Sequence, residues 1–474
     1  MTSHKSILLE NGRKTPLFSG KLPNFVCKNA VAMRYFHLLS PLDWQAFPER
    51  GLKARGQHNI TLRYASFVAA QLVKLEEGIR STAGLCRYLN EHPELSWLLG
   101  FDVQQNGFIP WLTEFQTSLP LKRHFNRTLR EMPNTALQVL LDSSVRLLQA
   151  ELQEIAPDFG EVISLDTKLI LAWVKENNSK AYVKERYNPK KQPKGDLDCR
   201  LGVKRRINIS PDALMQQSTP KEKAVKGSAV FTKNEYYWGY ASGIIATKVP
   251  GWGEFTLAEM TQPFNRADIS YFFPLMTDIE RRLGFRPKFG AFDAAFDAFY
   301  VYEHFHSEQH DGFAAVPLAK KGGRKERFFS EEGLPLCKAG LAMYRKFTFT
   351  DRTRAMIEHE RAKYLCPLLY PEATGKRCSV AHKRWGKGGC TADMPTSIGA
   401  RIRYQLDRES QIYKNIYNQR TATERLNAQA KTLGIERPLL RNQQAITNQN
   451  TLIYVLMNLK ALHRIRQRKR ASFF

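Results

Sequence analysis

Apolar residues recur at spacings of three and four along "RYASFVAAQLVKLEEGIRSTAGLCRYLNEHPELSWLLG" (63–100), and Gly and Pro fall only between candidate helices. This pattern predicts a mainly helical region from residue 1 to about 155. From residue 160 the texture changes. The runs "EVISLDTKLILAWV", "YYWGYASGIIATKV" and "GEFTLAEMTQ" are dense in β-branched and aliphatic residues and read as buried strands. A helical pattern follows in "DISYFFPLMTDIERRLG", closed by Gly284. Then come a strand at "PKFGAFD", a helix at "AAFDAFYVYEHF" and a strand in "GFAAVPLAK". Strands followed by strand-helix-strand predict a mixed sheet with helices packed on it, an α+β or α/β arrangement. The last helix, "NQNTLIYVLMNLKALHRIRQRKR", starts apolar and ends basic, which predicts a packing stripe and a tail from Arg464 to Arg470 that meets solvent or phosphate.

Two segments interrupt the pattern. Residues 175–206 carry 11 Lys/Arg against 4 Asp/Glu, with Pro189, Pro193 and Gly195 breaking any regular element, and read as a basic loop. Residues 320–397 carry "AKKGGRKER", "HKRWGKGG" and four of the seven cysteines, and read as an insertion. There is no internal repeat and no low-complexity tract.

A chain of 474 residues with 43% hydrophobic and 11% aromatic content is rich enough in core formers for two or three globular domains. No uncharged apolar run reaches the ~18 residues of a membrane span, and "MTSHKSILLENGRK" lacks a secretory h-region, so a soluble, cytoplasmic protein is expected. Seven cysteines then read as reduced thiols or metal ligands. Lys and Arg number 72 against 45 Asp and Glu, a net charge of +27, and so large an excess points to a polyanionic partner, nucleic acid. Arg80, Arg87, Lys122, Arg123, Arg127 and Arg130 suit a DNA-contacting or dimerising helical module, with a plain packing domain as the alternative. Arg205, Arg206, Lys320 and Lys321 are candidate phosphate contacts.

The stretch "YNQRTATERLNAQAK" (417–431) carries the sharpest candidate chemistry. On one helix, Tyr417, Arg420, Glu424 and Lys431 fall within about 60° of each other, opposite an apolar face that includes Ala422, Leu426 and Ala430, with Gly434 as the stop. An Arg420–Glu424 pair at i,i+4 also has a purely structural reading. Asp166 follows "EVISL" and Asp293 follows "KFGAF", so each carboxylate sits in or at the end of an apolar strand, where it is costly unless compensated. Asp293 also reads as a helix N-cap. Two strand carboxylates and a glutamate on a cation-lined helix are what divalent-metal phosphoryl transfer requires. Asp297 competes with Asp293 as the second carboxylate, and Asp268 and Asp198 are further acids that could approach. Phe296 and Tyr300 are candidates to support a flipped base, with core packing as their alternative.

Y-x-x-R-x-x-x-E followed by six residues and K, from Tyr417 through Arg420 and Glu424 to Lys431, resembles the Tyr-Arg-Glu-Lys signature of bacterial insertion-sequence DDE transposases. "SLDTK" around Asp166 and "FGAFDAAFDAFY" around Asp293 resemble the two aspartate motifs of that family. The resemblance covers about residues 156–474. It implies a ribonuclease H-like catalytic domain with an insertion before the glutamate helix, preceded by the helical N-terminal domain (1–155). It also implies a metal triad of Asp166, Asp293 and Glu424 holding two Mg²⁺ (or Mn²⁺) ions, with Tyr417, Arg420 and Lys431 toward DNA. The partners implied are terminal inverted repeats and target DNA, with a homodimer acting on paired ends in a bacterial cytoplasm, nucleoid-associated when bound. A nuclease that cuts without joining and a non-catalytic DNA-binding relic are the rival readings.

Cys337, Cys366, Cys378 and Cys390 lie in the insertion with His382 nearby. Four thiolates suffice for structural zinc. None forms a C-x-x-C pair, so buried unliganded thiols are the preferred reading and zinc is the alternative. "GKGG" at 386–389 lacks the form of a phosphate-binding loop, so no nucleotide cofactor is expected.

Overall fold

The structure is a computed structural model that describes residues 18, 22–49, 62–106, 114–208, 231–306, 312–319, 327–352, 356–380 and 382–471. It is a mixed α+β molecule. The N-terminal region holds helices α1 (Asn24–Cys27), α2 (Ala30–Leu39), α3 (Tyr64–Glu76), α4 (Thr82–Glu91) and α5 (Pro93–Leu98), then α6 (Lys122–Glu131) and α7 (Asn134–Leu152). Side-chain caps set two of their starts: Asn29 accepts from the Ala32 N–H and Ser81 from the Gly84 N–H. Between α5 and α6 lies an antiparallel hairpin, β1 (Asp102–Asn106) and β2 (Glu114–Ser118), that the helical pattern did not foretell. Its strands read "DVQQN" and "EFQTS", too polar to announce a half-buried sheet.

The central sheet comprises β3 (Val162–Leu171), β4 (Arg200–Asn208), β5 (Phe231–Val249), β6 (Gly253–Pro263), β7 (Phe289–Ala291) and β8 (Phe313–Ala315). Its order is β6–β5–β3–β7–β8, with β4 paired along the first half of β5. The pairs β3–β5, β4–β5 and β5–β6 are antiparallel, and β3–β7 and β7–β8 are parallel. The basic loop read over 175–206 therefore ends earlier, since residues from Arg200 onward belong to a strand; pairing with the long β5 overrides their charge. Helix α8 (Phe272–Leu283) ends as expected at Gly284, which has φ +78°.

The helix expected after Asp293 is broken. Asp293 caps a single 3-10 turn, Ala294–Phe296, and α9 starts only at Phe299 (Phe299–Phe305). The break is held by Asp297, whose carboxylate accepts from Arg403, the Tyr302 hydroxyl (2.9 Å) and the Ala319 N–H (2.7 Å).

The insertion forms its own antiparallel sheet of β9 (Tyr344–Asp351), β10 (His359–Leu365) and β11 (Thr391–Pro395), in the order β11–β10–β9. After it come α10 (Ile398–Gln405), α11 (Gln411–Tyr417), α12 (Thr421–Thr432) and the 29-residue α13 (Gln443–Ala471).

Two apolar cores sandwich the sheet. Ile170, Tyr240 and Ile244 face the first, together with α3, the start of α7, α12 and most of α13. Ile163, Leu165 and Ile245 face the second, with α8, α9 and the ends of α7 and α13. Alternating residues thus point to opposite cores, as a pleated strand requires. The N-terminal helices share the first core with the sheet. Phe296 and Tyr300 are buried in the second core, which corrects their reading as supports for a flipped base.

α13 is buried on all sides between Ala445 and Leu459, not only along a stripe. Its polar residues pair inside: Asn448 donates to the Leu129 and Met132 carbonyls (2.9 and 2.8 Å). Asn458 accepts from the Thr256 N–H (3.0 Å) and donates to the Thr256 carbonyl (2.8 Å), closing the open edge of β6. The basic tail is partly tied down: Arg466 pairs with Glu151 at 2.9 Å, and Arg468 donates to the Gly251 carbonyl. Among the described residues no helix is long and apolar enough to cross a membrane.

Candidate active site

Asp166 sits in mid-strand on β3, with Lys168 and Ile170 on the same face by alternation. That face is covered by α12 through Ala422, Leu426 and Ala430. The parallel register of β3 and β7 pairs Ser164 with Ala291. Asp166 stands two residues further along β3, and Asp293 two residues past Ala291, just beyond the end of β7 where it caps the turn Ala294–Phe296.

The two carboxylates feel each other. Burial is the main force that pushes the Asp166 carboxyl up to about 6, and the charges of Asp293 and Asp268 add to it, while the Thr167 backbone and Arg420 oppose it. Asp268, at the start of the short turn Asp268–Tyr271, accepts from the Thr167 hydroxyl at 2.8 Å. It too is raised, by burial and by Asp293. Of the two further acids that the sequence offered, Asp268 therefore joins the site. Asp198 instead accepts from the Gln443 N–H at 2.9 Å, at the start of α13. Asp293 accepts from the Ala295 N–H at 2.8 Å, a bond that occupies one oxygen lone pair and confirms its capping role. Asp297 is 1% exposed and committed to Arg403, which holds it below the usual carboxylate range despite burial.

The stretch from Tyr417 to Lys431 is not one helix. α11 ends at Tyr417, a 3-10 turn spans Asn418–Arg420, and α12 begins at Thr421. The tighter turn shifts Tyr417 relative to an ideal helical face, yet Arg420 still reaches both Tyr417 and Glu424. Arg420 Nη2 lies 2.7 Å from Glu424 Oε1, and its guanidinium sits 5.9 Å from the Tyr417 ring centre. Burial disfavours the Arg420 charge, but Glu424, Tyr417, Asp166 and Asp293 outweigh it and hold its pKa above the usual value. Tyr417 is placed by a stack: its ring lies 5.9 Å from Tyr413 at 10°, and Tyr413 lies 6.4 Å from Phe313 of β8 at 9°.

A cavity joins the two halves of the site, lined by Asp166, Lys168, Lys204, Glu424, Asn427 and Lys431 among others. Lys431 pairs with Glu436 at 3.4 Å, and Lys168 pairs with the same carboxylate at 2.6 Å. Sequence reasoning missed Asn427. It sits one turn after Glu424, is buried, and donates to Asp166 Oδ2 at 3.1 Å, while its own Oδ1 is buried without a partner. An asparagine inside a helix, three residues from the glutamate, was the available signal.

Arg205 and Arg206 belong to β4, but their side chains, like all of Lys320 and Lys321, lie outside the described residues. Of the insertion cysteines, Cys337 and Cys390 line a different cavity together with His382. All seven cysteines are free. Among the described residues no three His, Cys, Asp or Glu side chains stand at metal-ligand spacing. No protein-family model and no curated protein matches the chain.

Proposed function

We propose that the protein is a DDE-type DNA transposase that cleaves the ends of its element and joins them to target DNA, with Asp166, Asp293 and Glu424 as the acidic triad. The observation that carries this reading is that the parallel neighbours β3 and β7 carry Asp166 within one and Asp293 just past the end of the other, while α12, which bears Glu424, covers the Asp166 face of β3. The sheet supports it as well. Three antiparallel strands followed by two parallel ones, in the order β6–β5–β3–β7–β8, is the arrangement that a ribonuclease H-like domain would have.

The residues suit a divalent cation by the chemistry of their donors. Asp166, Asp293 and Asp268 repel one another in a half-buried pocket, and among the charged groups that act on Asp166 only Arg420 opposes them. Asp166 and Asp293, with Glu424 once released from Arg420, would hold Mg²⁺ or Mn²⁺. Two such ions supply charge stabilisation to the attacking and leaving oxygens of an in-line displacement. The chain's own groups do the rest. Asn427 holds the Asp166 carboxylate in one orientation. Arg420 offers a planar fork to a phosphate, and Lys431, largely exposed, offers a point charge further along the groove. Tyr417, stacked from behind, presents a flat wall beside Arg420.

The experiment is Mg²⁺-dependent cleavage and strand transfer on DNA that carries the inverted repeats flanking the gene, comparing wild type with Glu424→Gln. Cutting and joining by wild type alone supports the reading. Cutting without joining would make the protein a nuclease, binding without cutting a relic, and equal cutting by both proteins would remove Glu424 from the site.

A further inference from the structure

The stretch that joins β3 to β4, residues 172–199, holds a single short 3-10 turn, Lys175–Asn177, yet it is firmly built. Asn177 stands in for a strand residue. Its side chain donates to the Ala172 and Trp238 carbonyls (2.8 and 2.7 Å) and accepts from the Trp238 N–H (3.0 Å). The Arg186 guanidinium donates to the Glu176, Asn178 and Ala181 carbonyls and ties the first half of the loop together. The Trp238 indole N–H donates to the Arg186 carbonyl at 2.8 Å, and toward the far end the buried Asp196 accepts from the Tyr240 hydroxyl at 2.7 Å. Bonds at both ends and across the middle hold this long loop in one shape.

The groups that fix the loop are polar, and the groups it turns outward are aromatic and cationic. Trp173, Tyr182 and Tyr187 are 49%, 87% and 46% exposed, and the exposed Tyr236 of β5 lies 5.8 Å from the Tyr187 ring at 35°. The Arg441 guanidinium sits 4.8 Å from the Trp173 ring centre. Lys175, Lys180, Lys184, Lys190 and Lys194 are exposed and carry no ion pair among the described residues, whereas Lys191 is taken by Glu185.

This patch borders the cavity of the candidate active site. Leu171, Lys204, Tyr237 and Arg437 line that cavity. Trp173 follows Leu171 by two residues, Tyr236 adjoins Tyr237, and Arg441 follows Arg437 by four. The Leu171 N–H donates to the Glu436 carbonyl at 2.9 Å, which fastens the segment that carries Arg437 and Arg441 to the end of β3.

Lysines alone would suit any polyanion. The rings narrow the choice. In a duplex the base faces are covered by stacking, whereas an unpaired strand offers a face at every base, and rings set among cations bind it without regard to sequence. We propose that Trp173, Tyr182, Tyr187 and Tyr236, with the lysines of the 172–199 loop, form a binding site for single-stranded DNA that continues the groove of the candidate active site. Bases stack on the rings and phosphates meet the lysines. The choice of DNA rests on the proposed function, while the stacking itself needs no catalysis.

The test uses the full chain in Mg²⁺-free buffer, with a fluorescent oligothymidine of about 20 nucleotides and a duplex of the same length as probes. Trp173→Ala and Tyr187→Ala should each weaken single-strand binding at least ~5-fold and change duplex binding less than ~2-fold. Tryptophan fluorescence of the wild type should fall as oligothymidine binds. Trp173→Phe, which keeps a ring, should hold its affinity within ~3-fold and lose part of that quench. Replacing Lys180 and Lys184 together by Ala should lower the salt slope of single-strand binding by about 1.4. Equal losses for both probes would reduce the patch to charge, and unchanged single-strand affinity in both alanine variants would leave the rings without a role; either overturns the proposal. Tighter binding of an RNA strand of the same length would overturn the choice of DNA. The two readings fail separately. A chain that cuts its ends but shows no ring-dependent binding loses this site alone, and one that shows ring-dependent binding but never cuts loses the active-site reading alone.

Discussion

Asp293 and Asp297, four residues apart, have opposite fates. Asp297 is buried against Arg403, and removing it would strand a buried guanidinium. Asp297→Ala should therefore cost about 3–5 kcal/mol, read as a fall in denaturation midpoint. Asp293→Ala, losing one turn bond, should leave the midpoint within about 1 kcal/mol of wild type while abolishing cleavage. The reverse pattern would exchange their roles. Asp166 is a different case. Its pKa of about 6 in the folded chain lies above the ordinary aspartate value, so the folded state holds the proton more tightly and stability falls as pH rises from about 4 to 6. In Mg²⁺-free buffer at pH 7, Asp166→Asn should stabilise the protein by up to about 3 kcal/mol, an advantage that fades as the pH is lowered toward 4, and it should not cut DNA. A destabilised Asp166→Asn protein would show that the carboxylate is held by attraction, and would count against a cation-hungry site.

Among the elements, the long C-terminal helix carries an unusual load. Its Asn458 closes the free edge of β6 with two bonds to Thr256, and a helix rarely substitutes for a strand in this way. Asn458→Leu should leave both Thr256 backbone groups unpaired in the interior and cost about 2–4 kcal/mol by denaturant titration, whereas a change within about 0.5 kcal/mol would mean that the edge is satisfied otherwise. Much of the element order was legible beforehand, because β-branched runs and helical spacing are local signals. The strands at 162 and 253, the helix closed at Gly284 and the short strand at 313 lie where the pattern put them, and β5 covers the predicted run from Tyr236 but starts five residues earlier, at Phe231. The misses also have local causes. The β1–β2 hairpin is too polar to show alternation, and the breaks at Asp297 and at Asn418–Arg420 depend on partners distant in sequence or on a tighter turn that helical spacing does not register.

For the molecule as a whole, charge is the dominant feature. A net +27 on 474 residues should make DNA binding fall steeply with salt. If the surface neutralises six or more phosphates, affinity should drop ~10³-fold or more between about 50 and 200 mM monovalent salt, in a filter-binding or anisotropy titration. A flat response would remove nucleic acid as the partner. The helices before residue 155 share a core with the sheet and α13. That core also takes in Ala422, Leu426 and Ala430 of α12, the helix that carries Glu424.

The sequence by itself determined the alternation of elements, the basic character, and the spacing of Tyr417, Arg420, Glu424 and Lys431, because each is a property of neighbouring residues or of composition. Only the tertiary structure decided which acids meet. Asp166 and the residue just past β7, Asp293, are brought near by parallel pairing of strands more than a hundred residues apart, and Asp268 and Asn427 join them from a turn and a helix that no local pattern links. The cysteines follow the same logic. Their spacing along the chain lacks a paired motif, and it is the fold that brings Cys337 and Cys390 to one cavity and Gly389 against Cys366. Register is fixed by the burial of whole faces, a long-range quantity that no single stretch of sequence contains.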